Sequence, residues 1–350
     1  MAKTSLIYIA TQNPDKTGIT VAEFDSATGT LSAPKMVAET RDPAHFTLSN
    51  DSQHLYMCNT GTPGGVSAFA VDKKSGALQL LNYKESKGRG PSYVSVDGSG
   101  KYVLDANYGG GFVEVYSLAK DGSLDQQTAF VQHIGSSVHP RQTKPYAHWF
   151  RTDPTNKFGL VADLGMDQIV VYRFDAKTGK LTPNDPPFAK VAGGIGPRHL
   201  AFHPNSKWVY GIAELANEVM AFKWDGGRGT LTQFQSVKTV ADGFKDPSTA
   251  AEIAVHANGE FLYATNRGED SIVVYAIDQK SGELAFKQRV PSGGKVPRYF
   301  TFDPTNKWLI VSNQDGANVN VFSVDANTGE LTQKGTPVAL VKPMALAFLK

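Results

Sequence analysis

Cysteine is nearly absent from this 350-residue chain, in which Cys58 is the only one. A disulfide within the chain is therefore excluded, and so is a metal cluster held by several cysteines. Neither sign of charge predominates, because 35 Lys and Arg stand against 33 Asp and Glu, a difference of +2. Without a strong overall field, we expect neither nucleic acid nor an anionic membrane as a partner.

Long apolar runs are also missing. The sequence contains no stretch of about 18 apolar residues, so we expect no membrane-spanning helix. The first ten residues lack a basic segment followed by an apolar one, which predicts a cytoplasmic protein without an export signal. A periplasmic location is the alternative if a signal has been removed from the sequence.

What the chain does contain is a repeat marked by its turns. A Gly followed two residues later by Leu occurs at Gly29, Gly76, Gly122, Gly179, Gly229, Gly282 and Gly329. The first and last of these lie 300 residues apart, so the six intervals average 50 residues. A period of this size indicates a propeller or a solenoid.

Each period contains short apolar segments bounded by Gly, Pro and Asn, which are typical of strands and too short for helices. The repeat around residue 200 has four such segments: Arg198 to Phe202, Trp208 to Ala213, Val219 to Trp224 and Thr230 to Phe234. We therefore predict an all-β, seven-bladed β-propeller with four antiparallel strands per blade, forming a single domain over residues 1–350.

The two ends of the chain predict how the ring closes. Residues 342–348 match the opening strand of a repeat, whereas residues 6–10 match a second strand. We expect the C-terminal strand to complete the N-terminal blade, which removes an exposed sheet edge.

Positions that break the repeat are candidates for chemistry. The ends of the second strands align as Asn59, Asn107, Asp163, Glu214, Asn266 and Asn313. Asn is typical of a turn or cap, and Asp163 fits that role as well. Glu214 is longer and fits a local cap poorly, so we assign it a catalytic role.

A second set appears where the first strands begin, at Ala44, Ser92, His148, Arg198, Ala251 and Arg298. Equivalent positions converge on the ring axis, which predicts that His148, Arg198 and Glu214 are neighbours. Arg267 would join them from the sixth blade. The Arg residues suit a carboxylate or a developing oxyanion, and either Glu214 or His148 suits a general base.

Four segments together resemble the lactonase family of seven-bladed propellers, which includes bacterial 6-phosphogluconolactonases and fungal carboxymuconate lactonizing enzymes. They are Asn107 to Gly111, Asp163 to Asp167, Gly196 to His199 and Asn266 to Ile272. The resemblance covers essentially the whole chain. It implies a site built from His148, Arg198, Glu214 and Arg267. Tyr146 stands where the family commonly has His.

The resemblance implies a hydrolase that opens a sugar-type lactone, with general-base activation of water and Arg stabilisation of the oxyanion. A cycloisomerase that forms a muconolactone and a binding scaffold without catalysis are the alternatives. The expected partner is an anionic or polyhydroxylated lactone, with no cofactor or metal, and the expected assembly is a monomer or weak homo-oligomer. The candidate substrate-binding residues are Asn107, Asp163, His199, Arg298 and Tyr146.

A phosphorylated lactone would require further cations. Lys144, Arg151 and Arg298 are candidates, although an ordinary solvated charge is the competing interpretation for each. His133, His139 and Arg141 lie in the long connection before the fourth blade, which we interpret as a surface loop rather than a lid.

Overall fold

Seven small antiparallel sheets form the part of the chain that the computed structural model describes, residues 4–350. The first half contains β1 Thr4–Thr11, β2 Gly18–Asp25, β3 Thr30–Leu31, β4 Lys35–Glu39, β5 Pro43–Leu48, β6 His54–Asn59, β7 Gly65–Val71, β8 Leu78–Glu85, β9 Tyr93–Val96, β10 Tyr102–Asn107, β11 Phe112–Leu118, β12 Leu124–Gln132, β13 Ala147–Thr152, β14 Phe158–Asp163 and β15 Gln168–Asp175. The second half contains β16 Lys180–Lys190, β17 Pro197–Phe202, β18 Trp208–Ala213, β19 Glu218–Asp225, β20 Thr230–Lys238, β21 Thr249–Val255, β22 Phe261–Arg267, β23 Ser271–Ile277, β24 Leu284–Pro291, β25 Pro297–Phe302, β26 Trp308–Asn313, β27 Asn318–Val324, β28 Leu331–Ala339 and β29 Pro343–Phe348.

The sheets are the seven blades of a propeller, as the repeat predicts. Blades 2 to 7 each contain four consecutive strands, beginning with β5, β9, β13, β17, β21 and β25. The first strand of each blade contacts the first strand of the next, so these strands form the inner ring. No helix is found between residues 4 and 350, and hence none there that is long and apolar enough to cross a membrane.

Blade 1 joins the two ends of the chain, and the predicted ring closure is confirmed. Its strand order is β29, β1, β2 and β3, with β4 also paired to β2. Strand β29 lies antiparallel to β1, with Ile7 opposite Phe348 and Tyr8 opposite Ala347. The C-terminal segment therefore occupies the innermost position of the first blade.

The turn glycines also connect neighbouring blades. All seven have a positive φ, between 69° and 82°, which favours glycine over residues with a Cβ. In four of them the backbone carbonyl accepts a hydrogen bond from the hydroxyl of a tyrosine in the preceding blade. The pairs are Tyr8 to Gly76, Tyr56 to Gly122, Tyr210 to Gly282 and Tyr263 to Gly329. The repeat signature thus records both the turn within a blade and a contact between blades.

Blade 3 contains a buried pair of acids. Asp105 and Glu114 lie directly opposite each other on β10 and β11, and both are almost fully buried. Burial, followed by the charge of Glu114, holds the pKa of Asp105 well above its ordinary value, and burial also raises the pKa of Glu114. The folded protein therefore favours the protonated form of this pair.

This pair predicts a loss of stability as the pH rises. Above the unfolded pKa of about 4 and below the raised folded pKa, the native state holds more protons than the unfolded state. The free energy of unfolding should then fall by up to about 1.4 kcal/mol per pH unit for each group. Urea unfolding of Asp105→Asn between pH 5 and 8 should give a flatter dependence than the wild type. Identical slopes would show that Asp105 titrates normally in the fold.

Candidate active site

Three of the predicted site residues stand at β-bulges in the inner ring. His148, Arg198 and Arg298 are each the extra residue where a first strand shifts register against its second strand. A bulged residue leaves the ladder, bends its strand and redirects its side chain. The same local irregularity therefore presents all three side chains at the centre of the ring.

Glu214 lies at the centre of a cluster of arginine side chains. It follows the last residue of β18, and its side chain is only 5% exposed. Oε2 lies 2.9 Å from Nη2 of Arg267 and 3.2 Å from Nε of Arg198. Oε1 lies 2.7 Å from Nη2 of Arg141. One carboxylate is thus paired with three guanidinium groups.

The charges around Glu214 determine its protonation. Burial favours the neutral acid, but the charges of Arg267 and Arg198 lead the influences that outweigh burial, and they hold the pKa of Glu214 well below its ordinary value. Burial, then Arg267, lowers the pKa of Arg198 to about 9 and that of Arg298 to about 10. Glu214, Arg198 and Arg298 are therefore all ionised at neutral pH.

His148, in contrast to these ionised groups, is uncharged. Burial, with the charges of Arg198 and His199, holds its pKa well below the ordinary value, so the imidazole is neutral at pH 7. Nδ1 is buried without a hydrogen-bond partner. His148 also forms part of the cavity wall. A neutral imidazole at this wall can accept a proton and then donate it to a ligand.

A cavity of about 730 Å³ opens above these residues at one end of the ring axis. Its wall contains five cationic side chains and the single carboxylate of Glu214, which gives 5 − 1 = +4 with His148 neutral; the cations are Arg89, Arg141, Lys144, Arg267 and Arg298. Such a wall attracts an anionic small molecule. Tyr108 and Tyr146 stack at 4.7 Å on the same wall and offer it an aromatic surface.

Arg198 does not reach this cavity. Its side chain is 2% exposed and absent from the cavity wall, although the sequence placed it among the oxyanion-binding groups. Nη1 donates to the carbonyl of Ala251 at 2.5 Å and lies 3.4 Å from Nε2 of His199. Arg198 therefore contacts Glu214 on the side away from the cavity, where it can hold the carboxylate in position.

His199 lies deeper in the channel. Nδ1 is 3.1 Å from both carboxylate oxygens of Glu252, and the ring packs edge-on against His148 at 5.0 Å. Burial raises the pKa of Glu252 to about 8. The pair is placed to support His148 from below rather than to touch a molecule in the cavity.

The side chains of Asn107 and Asp163 accept hydrogen bonds from backbone amides. Oδ1 of Asn107 accepts from the Gly110 amide at 2.7 Å. Oδ1 of Asp163 accepts from the amide of Tyr146 at 2.8 Å, and Oδ2 lies 2.6 Å from Nδ1 of His133. Neither residue lines the cavity, so their placement favours a structural role over a ligand contact. Asp163 instead positions Tyr146, which does line it.

The proposed phosphate-binding cations separate into two groups. Lys144 and Arg298 line the cavity, whereas Arg151 lies at the opposite mouth of the channel with Tyr93 and Tyr299. The interpretation of residues 133–146 as a plain surface loop is wrong for Arg141, because this residue reaches Glu214. Arg89 and Tyr108 were missed as well.

The sequence contains a signal for Arg89 but none for Arg141. Arg89 occupies the place of Ile195 when Gly88 to Pro91 is aligned with Gly194 to Pro197, so it breaks the repeat as His148 and Arg298 do. Arg141 lies in a segment with no counterpart in other blades, and no alignment of repeats would have identified it.

Known proteins resemble the chain over nearly its whole length. A family model described as "Lactonase, 7-bladed beta-propeller" matches residues 6–348. The 6-phosphogluconolactonase of Bacillus subtilis is 38% identical over 333 residues, covering 95% of this chain and 94% of the relative. That of Formosa agariphila is 30% identical over 323 residues, covering 90% of each. The periplasmic gluconolactonase of Pseudomonas aeruginosa superimposes with a TM-score of 0.95 at 31% identity, over 99% of each chain.

Proposed function

Because this chain belongs to the lactonase family of seven-bladed β-propellers, we propose that it hydrolyses a sugar-type lactone, with 6-phosphogluconolactone as the first candidate. The observation that carries this proposal is the ionised Glu214 carboxylate at the base of a cavity whose wall has a net charge of +4. Hydrolysis converts a lactone into a carboxylate, so both an anionic substrate and its product suit such a wall.

The proposed reaction is direct addition of water to the ester carbonyl. Glu214 takes a proton from the water as its oxygen bonds to the carbonyl carbon. Arg267 and Arg298, which both line the cavity, stabilise the negative charge that develops on the carbonyl oxygen. Protonated Glu214 passes this proton to the neutral imidazole of His148, which lines the same cavity, and when the ring C–O bond breaks the resulting imidazolium donates the proton to the departing oxygen.

The rim of the cavity supports a phosphorylated substrate. Arg89 and Lys144 are exposed cations on the wall, apart from the groups that pair with Glu214. A phosphate ester is dianionic near neutral pH and is bound well by guanidinium and ammonium groups. The named relatives include both a 6-phosphogluconolactonase and a gluconolactonase, so the requirement for the phosphate is the point to test.

The experiment is hydrolysis of 6-phosphogluconolactone, gluconolactone, galactonolactone and muconolactone with spontaneous hydrolysis subtracted. We expect the phosphorylated lactone to give the highest kcat/KM. If only the muconolactone reacts, and the reaction also runs from the unsaturated diacid, the protein is a cycloisomerase. If every rate equals that of buffer, the hydrolase proposal fails and the binding scaffold replaces it.

We propose the cytoplasm as the location and a monomer or weak homo-oligomer as the assembly. The only cysteine, Cys58, is buried, so no disulfide within the chain depends on an oxidising compartment. Cell fractionation against the periplasmic alternative, and sedimentation of the purified protein, test these two statements.

A further inference from the structure

Arg141 differs from the other two guanidinium partners of Glu214 in its freedom. Its side chain is 46% exposed, compared with 2% for Arg198 and 15% for Arg267. Arg198 and Arg267 belong to strands β17 and β22, whereas Arg141 lies in the segment that connects β12 to β13. Arg141 is therefore the partner that can leave Glu214 without disturbing a sheet.

The two oxygens of Glu214 are also held differently. The shortest contacts of Arg198 and Arg267 go to Oε2, whereas that of Arg141 goes to Oε1, to which it also donates a hydrogen bond. A carboxylate that serves as a base needs a free lone pair directed at the water. With Arg141 in place, one of the two lone pairs of Oε1 is already engaged, and departure of Arg141 releases it.

The backbone around Arg141 is anchored independently of its guanidinium. Nε2 of the buried Gln142 donates to the Leu164 carbonyl at 2.7 Å and to Oδ1 of Asp167 at 2.8 Å. The amide of Arg141 donates to Nδ1 of His139 at 3.1 Å. Rotation of one side chain, without opening of the segment, is then sufficient to change its partner.

We propose that Arg141 senses the negative charge of the substrate: an anionic group on the lactone draws its guanidinium away from Glu214 and thereby frees Oε1 to accept the proton from water. This inference rests on the proposed function and deepens it. A phosphate ester offers a guanidinium two charged oxygens in a bidentate arrangement, whereas Glu214 keeps two other cations when Arg141 leaves. A neutral lactone provides no such exchange, so the guanidinium of Arg141 stays hydrogen-bonded to Oε1 of Glu214.

Arg141→Gln tests this inference through the ratio of two substrates. We expect kcat/KM for 6-phosphogluconolactone to fall by about 10- to 100-fold, the range for loss of a hydrogen bond to a charged group. For gluconolactone, we expect kcat/KM to rise, because Arg141 no longer engages Oε1 in the variant. The acidic limb of its pH profile should move to higher pH, since Glu214 loses one of the cations that keep it ionised.

Arg228→Gln is the matched control, because it removes the same charge from an exposed turn outside the cavity. It should leave both rates and the pH profile unchanged. Arg141→Lys keeps the charge without the planar fork and should lose part of the discrimination between the two lactones. This variant carries the test if the Gln variant does not fold.

Two results would overturn the inference while leaving the proposed function intact. Equal losses on both lactones would make Arg141 a structural support of the site. A loss confined to the phosphorylated lactone, with the acidic limb for gluconolactone unmoved, would make Arg141 an anion-binding residue that does not control Glu214. A wild type inactive on every lactone would instead remove the proposed function on which the inference rests.

Discussion

Glu214→Gln is expected to lower kcat for lactone hydrolysis by about 10²- to 10⁴-fold, the usual contribution of a positioned general base. The amide is nearly isosteric but cannot accept the proton from water at neutral pH. KM for an anionic lactone should hold or fall, because Arg141, Arg198 and Arg267 lose the negative charge that they now share. A large loss in kcat without a rise in KM distinguishes a catalytic carboxylate from one that only shapes the cavity.

The pH dependence provides a second signature of the same group. The pKa of Glu214 lies well below its ordinary value, so the wild-type rate should stay constant as the pH falls from neutrality through the usual carboxylate range. Glu218→Gln is the matched control, since this acid forms a surface pair with Lys238 at 2.6 Å. If Glu214→Gln keeps kcat within about twofold of the wild type, Glu214 is not the base and His148 becomes the candidate.

The fold was predictable because the repeat records backbone requirements directly. Each turn needs a residue that tolerates a positive φ, and Gly29 and its six counterparts supply it. The match of residues 342–348 to an opening strand predicted ring closure, because a first strand at the end of the chain has no blade of its own. Both signals depend only on local sequence.

The site was predictable only where it breaks the repeat. His148, Glu214 and Arg298 differ from their equivalents in most other blades, and the structure brings them to one cavity. How deep each side chain lies within the channel was not predictable. The bulge at residue 198 points a long guanidinium inwards behind Glu214, and the sequence does not show which bulged side chains reach the cavity. The position of Arg141 depends on how residues 133–146 cross the mouth, which is a tertiary property.

Deletion of Pro343 to Lys350 is expected to abolish cooperative folding. These residues include β29, in which Met344, Leu346 and Phe348 are at least 94% buried. Truncation of each such side chain to Ala in a packed core costs about 2–5 kcal/mol. The combined loss is comparable to the whole stability of a domain, about 5–15 kcal/mol. Circular dichroism and denaturant unfolding should show no cooperative transition, or one at much lower denaturant.

The loss should extend beyond blade 1, because β29 lies between two neighbouring blades. It contacts β5 of blade 2 and β25 of blade 7, and the hydroxyl of Ser312 donates to the Met344 carbonyl at 2.7 Å. Without it, β1 becomes an open edge that invites association between chains. Removal of the exposed Lys350 alone is the control and should leave the transition unchanged. If the shorter chain unfolds at the wild-type midpoint, ring closure by β29 is not what holds the seven blades together.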